Sequence, residues 1–141
     1  MGYIMNKPTG KNVGEVLQGD MFQGLEHIPI YFGGPVRPDQ IMFSAYWWAP
    51  DGEFSYRLRI SAEEAVTMKS SAGCLLLAHV GHAGWSPGQL ENELDEQSWV
   101  NTAVASEVIS LNATKLWQSL LAQVSPFHAL LSRTPQELRV N

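Results

Sequence analysis

One cysteine, Cys74, occurs in 141 residues, so the chain cannot close a disulfide within itself. Cations are also scarce: nine Lys and Arg stand against fourteen Asp and Glu, a formal net charge of −5. Sequence-independent affinity for nucleic acid comes mainly from Lys and Arg that displace counterions from phosphates. No run of cations builds such a stripe here, and direct nucleic-acid binding is not expected. Long apolar runs are missing too. None approaches the roughly 18 residues of a membrane-spanning helix, and no charged start leads into an apolar signal-like stretch. A soluble, cytoplasmic chain is expected, without membrane contact. No Gly-x-Ser-x-Gly turn occurs, and with it goes the signature of a strained serine nucleophile. There is no internal repeat, low-complexity tract or linker.

What is present is core-forming material. Apolar residues make up 45%, with five Trp, five Phe and four Tyr. Residues 1–141 read as a single domain that buries roughly 68–70% of its unfolded surface and needs no metal or disulfide to fold. Cys74 precedes Leu75-Leu76-Leu77 and reads as a small buried hydrophobe, because a reactive thiol wants a cationic, polar setting.

The chain is organised around residues 81–94. The run Cys74-Leu75-Leu76-Leu77-Ala78 reads as a buried strand leading into it. Gly81 and Gly84 suggest a tight backbone passage, followed by one large anchor, Trp85. Ser86 is a candidate N-cap, with Pro87 at the first helical position and Gln89 completing a capping box. Earlier, Met1–Met5 reads as extended and residues 6–10 as a turn. Val13, Val16 and Leu17 suggest a short helix capped by Thr9 or Asn12. Ile28–Phe32 and Ile41–Trp48 are strand candidates, and Asp51-Gly52 signals a hairpin. In the returning strand Phe54, Tyr56, Leu58 and Ile60 are expected on one face, with Ser55, Arg57 and Arg59 on the other. Residues 61–72 are ambiguous: Ser61 to Glu64 matches a capping box, while Ala65–Met68 would equally serve as a short strand. Val104 and Val108-Ile109 suggest extended pieces. Asn112 is placed as the cap of a helix with a Leu116, Trp117, Leu120, Leu121, Val124 stripe. Ala129–Leu131 reads as extended, before a turn at Pro135.

Gly2 to Pro8, Phe32-Gly33-Gly34-Pro35-Val36, Gly81 to Leu94 with Trp99, and Leu116-Trp117 together resemble the AlgH/YqgE family, in that family's order. The phrase Gly-x-Ala-Gly-Trp-x-x-Gly-Gln-Leu-Glu-x-Glu carries most of the likeness. The resemblance implies a bacterial, mostly cytoplasmic protein of a family often labelled transcriptional regulators, with no agreed catalytic residues. It implies an α+β fold: a mostly antiparallel, bifurcated sheet curled into a pseudo-barrel with flanking helices. Members usually carry further strands upstream of Asn6-Lys7-Pro8, which implies that the domain is N-terminally truncated here. Either Met1 is internal to a longer chain, or the short form forms a homodimer through the exposed N-terminal sheet edge. The family's spacing also favours extended structure over a helix at Ala65–Met68. His82 stands where relatives commonly have Tyr.

The remaining candidates are few. His79-x-x-His82 has a metal-like spacing, but residues three apart on a strand face opposite ways and no further ligand completes the set. No metal and no cofactor are expected. The glycine loop before a helix could hold an anion, yet Glu91 and Glu93 already complement that helix end. The carboxylates of that helix read as a solvated face. Of Trp47 and Trp48, adjacent on a strand, one is expected in the core and the other exposed as a contact residue. The ligand or contact candidates are therefore Gly33, Gly34, His82, Gly84, Trp85, Gln89, Glu91, Trp47 and Trp48. The favoured function is a non-enzymatic interaction or regulatory module with a protein partner. The alternative is an enzyme or small-ligand binder using a cleft beside Gly33-Gly34 and Gly81–Pro87, and a weaker one is a DNA-binding regulator.

Overall fold

Residues 1–104, 113–127 and 130 are described by the structure, a computed structural model. Among them the order is β1 (Pro8–Asn12), α1 (Val13–Val16), β2 (Pro29–Phe32), β3 (Val36–Trp48), β4 (Phe54–Ile60), α2 (Ala62–Lys69), β5 (Leu75–His82), α3 (Gln89–Asp95) and α4 (Ala113–Val124). A 3-10 turn at Asp20–Phe22 lies between α1 and β2. The fold is mixed α+β. The chain divides into two compact units, Met1–Gly84 and Trp85–Asn141.

All five strands lie in the first unit, as one sheet of order β1-β2-β5-β3-β4. β2 runs parallel to β5, and the other neighbouring pairs are antiparallel. The described strands form one sheet that does not close into a barrel. Its edges, β1 and β4, have no further described strand to close on.

The sheet's two faces differ. Ile30, Phe43, Ala45, Leu76 and Ala78 point to one side and pack with Val13, Leu25, Ile28, Ala62 and Ala65 as the main core. Tyr31, Met42, Ser44, Tyr46, Leu77 and His79 take alternate register positions and so face the other side. The strict alternation expected in β4 fails at one point. Phe43 pairs with Ile60, but Ser44 pairs with Leu58, so Arg59 is an extra residue in a β-bulge, with φ 57°. The bulge turns Ile60 onto the core face while Leu58, Tyr56 and Phe54 stay on the other.

Other local expectations are corrected as well. The segment after Thr9 continues as β1 rather than ending in a turn, and Asn12 starts α1, its N–H donating to Glu15 Oε2 at 2.7 Å. Residues 62–69 are helix, not extended. Ser61 Oγ accepts from Glu64 N–H at 3.1 Å and Glu64 Oε2 accepts from Ser61 N–H at 2.9 Å, a complete capping box. The family spacing misled because β4 already ends at Ile60, which leaves room for the helix before β5.

In the second unit α3 starts later than expected. Its N-cap is Gly88 at φ 79°, not Ser86; Ser86 instead accepts the Gln89 N–H on its carbonyl at 3.0 Å. In α4 Leu116 is buried and Trp117, Leu120, Leu121 and Val124 are half-buried, so the apolar stripe is real. Val104 has no regular structure, and Leu130 is helical rather than extended. Val108, Ile109, Asn112, Ala129, Leu131 and Pro135 lie outside the described residues.

Candidate functional site

In the first unit the glycine passage is a crossing of backbones. A Cβ at Gly33 would collide with the Gly81 carbonyl oxygen and sit 3.0 Å from both His79 Cβ and Tyr3 Cδ1. One at Gly34 would meet the His82 and Ala83 backbone, and one at Gly81 the Gly34 carbonyl. Gly81 also has φ +69°, which an L side chain adopts only with strain. Gly84 is different: its nearest neighbour is Val36 Cγ2 at 3.8 Å. The extended opening residues lie across this passage, with Gly2 and Ala83 exchanging backbone hydrogen bonds at 2.9 Å and Ile4 N–H donating to Gly33 at 2.9 Å.

Tyr3, placed by those bonds, stacks on His79 with ring centroids 4.3 Å apart and planes 8° from parallel. His79 is fully buried, and its Nε2 lies 2.9 Å from the equally buried Ser44 Oγ. Burial pushes the His79 pKa down to about 4, so the ring is neutral near pH 7. Neither His79 Nδ1 nor His82 Nδ1 meets a hydrogen-bond partner among the described residues. A Ser–His pair suggests nucleophilic chemistry, but this His79 has no carboxylate to orient it among the described residues, and its lowered pKa makes it a weak base near neutral pH. The pair is a neutral hydrogen bond inside the sheet. No three His, Cys, Asp or Glu converge on a metal-sized space among the described residues.

Trp47 packs on the core and Trp48 is 40% exposed. Trp48 meets Phe54 edge-on at 5.3 Å, and Phe54 lies 6.2 Å from Tyr56, which is 60% exposed. These three rings make one aromatic patch at the tip of the β3–β4 hairpin, on the face opposite the main core. An open groove between β4 and α2, of about 290 Å³, is lined by Arg57, Glu63, Glu64, Thr67 and Met68. Arg57 and Glu64 pair with each other there at 3.6 Å.

In the second unit Glu93 is the hub of a polar cluster rather than part of a solvated face. Its Oε2 accepts from the Trp99 indole at 2.6 Å and the Trp85 indole at 3.0 Å, and its Oε1 from Gln89 at 2.8 Å. The Trp99 bond first, then those of Gln89 and Trp85, holds the Glu93 carboxyl below the usual carboxylate range. Glu91 is simply exposed. Trp85, Gln89, Glu93 and Trp99 therefore account for much of the motif's spacing, while of its glycines Gly81 is required by the close approach to Gly34 and Gly88 by its positive φ at the start of α3. Sequence reading missed Ser44, Tyr3, Phe54, Tyr56 and Glu93 as partners; the visible signal was a polar Ser44 and His79 inside apolar strands.

The model of the AlgH-like family matches residues 1–127. The chain belongs to the AlgH-like family. A UPF0301 protein of Nitrosococcus oceani is 30% identical over 123 residues, covering 77% of this chain and 64% of the relative. AlgH of Pseudomonas aeruginosa, also a UPF0301 protein, is 35% identical over 115 residues, covering 71% and 58%. The chain thus spans less than two thirds of the length of these relatives. The solution structure of Pseudomonas aeruginosa AlgH superposes with a TM-score of 0.61 at 23% identity, covering 96% of this chain and 77% of that one. The crystal structure of protein DIP2367 from Corynebacterium diphtheriae gives 0.63 at 16%, covering 94% and 74%. Both likenesses concern the fold alone.

Proposed function

We propose that this AlgH-like chain is a non-enzymatic interaction or regulatory module that acts through protein contacts. The observation that carries the reading is the Trp48, Phe54, Tyr56 patch, where two exposed rings packed on the half-buried Phe54 resemble the aromatic centres of protein interfaces. Both units belong to one domain in this reading, since a single family model runs through them. The family resemblance suggests a cytoplasmic setting. Against the small-ligand alternative stands the passage at Gly33, Gly34 and Gly81, which backbone atoms already fill. Against a DNA-binding regulator stands the acidic balance of the chain. Homodimerisation through the N-terminal edge is a lesser reading: β1 is an edge strand, but Pro8 lacks an N–H and Lys11 brings charge, features that discourage strand pairing.

The test compares proteins captured from the source cells by the wild-type chain and by a Trp48→Ser/Tyr56→Ser variant. A partner recovered in stoichiometric amount by the first and lost by the second is expected. Recovery of the same partner by both would remove the patch from the proposal.

A further inference from the structure

In the first unit one titratable side chain is buried where it cannot accept a charge in place. His79 is fully buried, its Nε2 is taken by Ser44 and its Nδ1 meets no partner among the described residues. A neutral imidazole tolerates this, since one nitrogen donates and the other is only an unused acceptor. An imidazolium donates from both, so its Nδ1–H would be a buried donor with nothing to accept it. The groups that face the ring supply no counter-charge. They are Tyr3 from the opening residues, Tyr31 from β2 with ring centroids 6.2 Å away, and Ser44 from β3. Tyr46 and Arg59 interact with Tyr3 rather than with the imidazole, and no carboxylate acts on His79 among the described residues.

The cover over that ring is lightly held. Residues 2–5 belong to no strand, and the Gly2–Ala83 bridge is isolated. Beyond the hydrogen bonds to Ala83 and Gly33, the cover is fixed by Tyr3, whose O–H reaches Met42 Sδ at 3.5 Å. The strand beneath, β5, is paired on both sides, to β2 and to β3. Segments held by few hydrogen bonds open locally at far lower cost than a strand paired on both sides. We propose that residues 2–5 are an acid-released strap: charging His79 expels the Tyr3 ring and lifts the strap from Ala83 and Gly33, while the sheet beneath stays folded. Release lets water solvate the imidazolium and uncovers the His79–Ser44 pair with the backbone groups of Ala83 and Gly33. Burial holds the ring's pKa at about 4 against 6.5 when exposed, so the closed strap is fully favoured above 6.5 and is lost as pH falls toward about 4. The inference uses neither exposed ring of the hairpin patch and stands apart from the protein-contact reading.

The test is an NMR titration of the full chain in dilute solution, from neutral pH down to about 4, following the His79 ring, the Tyr3 ring protons and the Ala83 amide. Stacking places the Tyr3 protons in the ring current of His79, so lifting the strap changes their shifts. The Tyr3 shifts are expected to move with the His79 titration at one midpoint. Protection of the Ala83 amide, corrected for the intrinsic pH dependence of exchange, should fall by roughly tenfold. The amides that pair β3 with β5 should keep theirs. Tyr3→Phe, which retains the stack, should follow the wild type, whereas Tyr3→Ala should raise the His79 midpoint by about one pH unit. His79→Gln has no charge to gain and should keep Ala83 protected throughout. Should that variant fail to fold by circular dichroism, the wild type and the two Tyr3 variants carry the test. The proposal is overturned if Tyr3 and Ala83 stay unmoved to the end of the titration, or if Ala83 loses protection only together with the β3–β5 amides. An unshifted His79 midpoint in folded Tyr3→Ala overturns it too, as does release at the wild-type midpoint in folded His79→Gln.

Discussion

His79 cannot be protonated in place without cost, because its buried ring bonds Ser44 and lies under Tyr3. Its pKa falls from 6.5 when exposed to about 4 when folded. The unfolded chain therefore binds more protons in that window, so stability rises with pH across it. The contribution is complete above 6.5 and is lost as pH falls toward about 4. The full loss is on the order of 3 kcal/mol. Urea unfolding across the window, compared with His79→Gln, checks this; the variant should lose most of the slope, and an equal slope in both chains would reject His79 as its source. His79 was noticed in the sequence only for its spacing to His82. Its burial was not legible, since a lone histidine in an apolar run shows its partner only when β3 pairs with β5.

The glycine passage illustrates the next level, where two segments make a single feature. Gly81→Ala must adopt a left-handed backbone and also displace the Gly34 carbonyl, which together should cost about 2–4 kcal/mol. Gly52→Ala meets only the first difficulty, because nothing lies near its Cβ, and should cost about 1 kcal/mol. Urea midpoints of the two variants give the comparison, and equal losses would mean that the close approach contributes nothing. Local signals were good guides to α2, where the Ser61–Glu64 capping box proved more reliable than inference from family spacing. They were poor guides where an interaction was not local. The bulge at Arg59, which sends Ile60 to the core and leaves Tyr56 exposed, exists only in the pairing with β3.

For the molecule as a whole, the net charge of −5 makes a prediction that no local feature alters. Sequence-independent binding to duplex DNA should be no tighter than roughly 10⁻⁴ M at physiological salt. Anisotropy with labelled duplex at low and moderate salt tests it, and micromolar affinity with a steep salt slope would restore the regulator reading. The sheet's two edges are unlike. β1 is blunted by Pro8 and Lys11, while β4 carries a bulge beside Arg57 and ends in the aromatic patch. Contact through side chains at that patch fits this edge better than addition of another strand, because bulges and charges disrupt the ladder a new strand would extend.

The sequence by itself determined what depends on neighbours in the chain. The hairpin at Asp51-Gly52, the apolar strands, the helix caps at Asn12 and Ser61, the acidic balance and the family motif all follow from short-range patterns. Only the tertiary structure decided which of Trp47 and Trp48 is exposed, that Glu93 gathers two indoles, and that His79 meets Ser44. Burial and hydrogen bonding join residues far apart in the chain, such as Ser44 and His79, and no periodicity along one strand encodes what its partner strand places opposite.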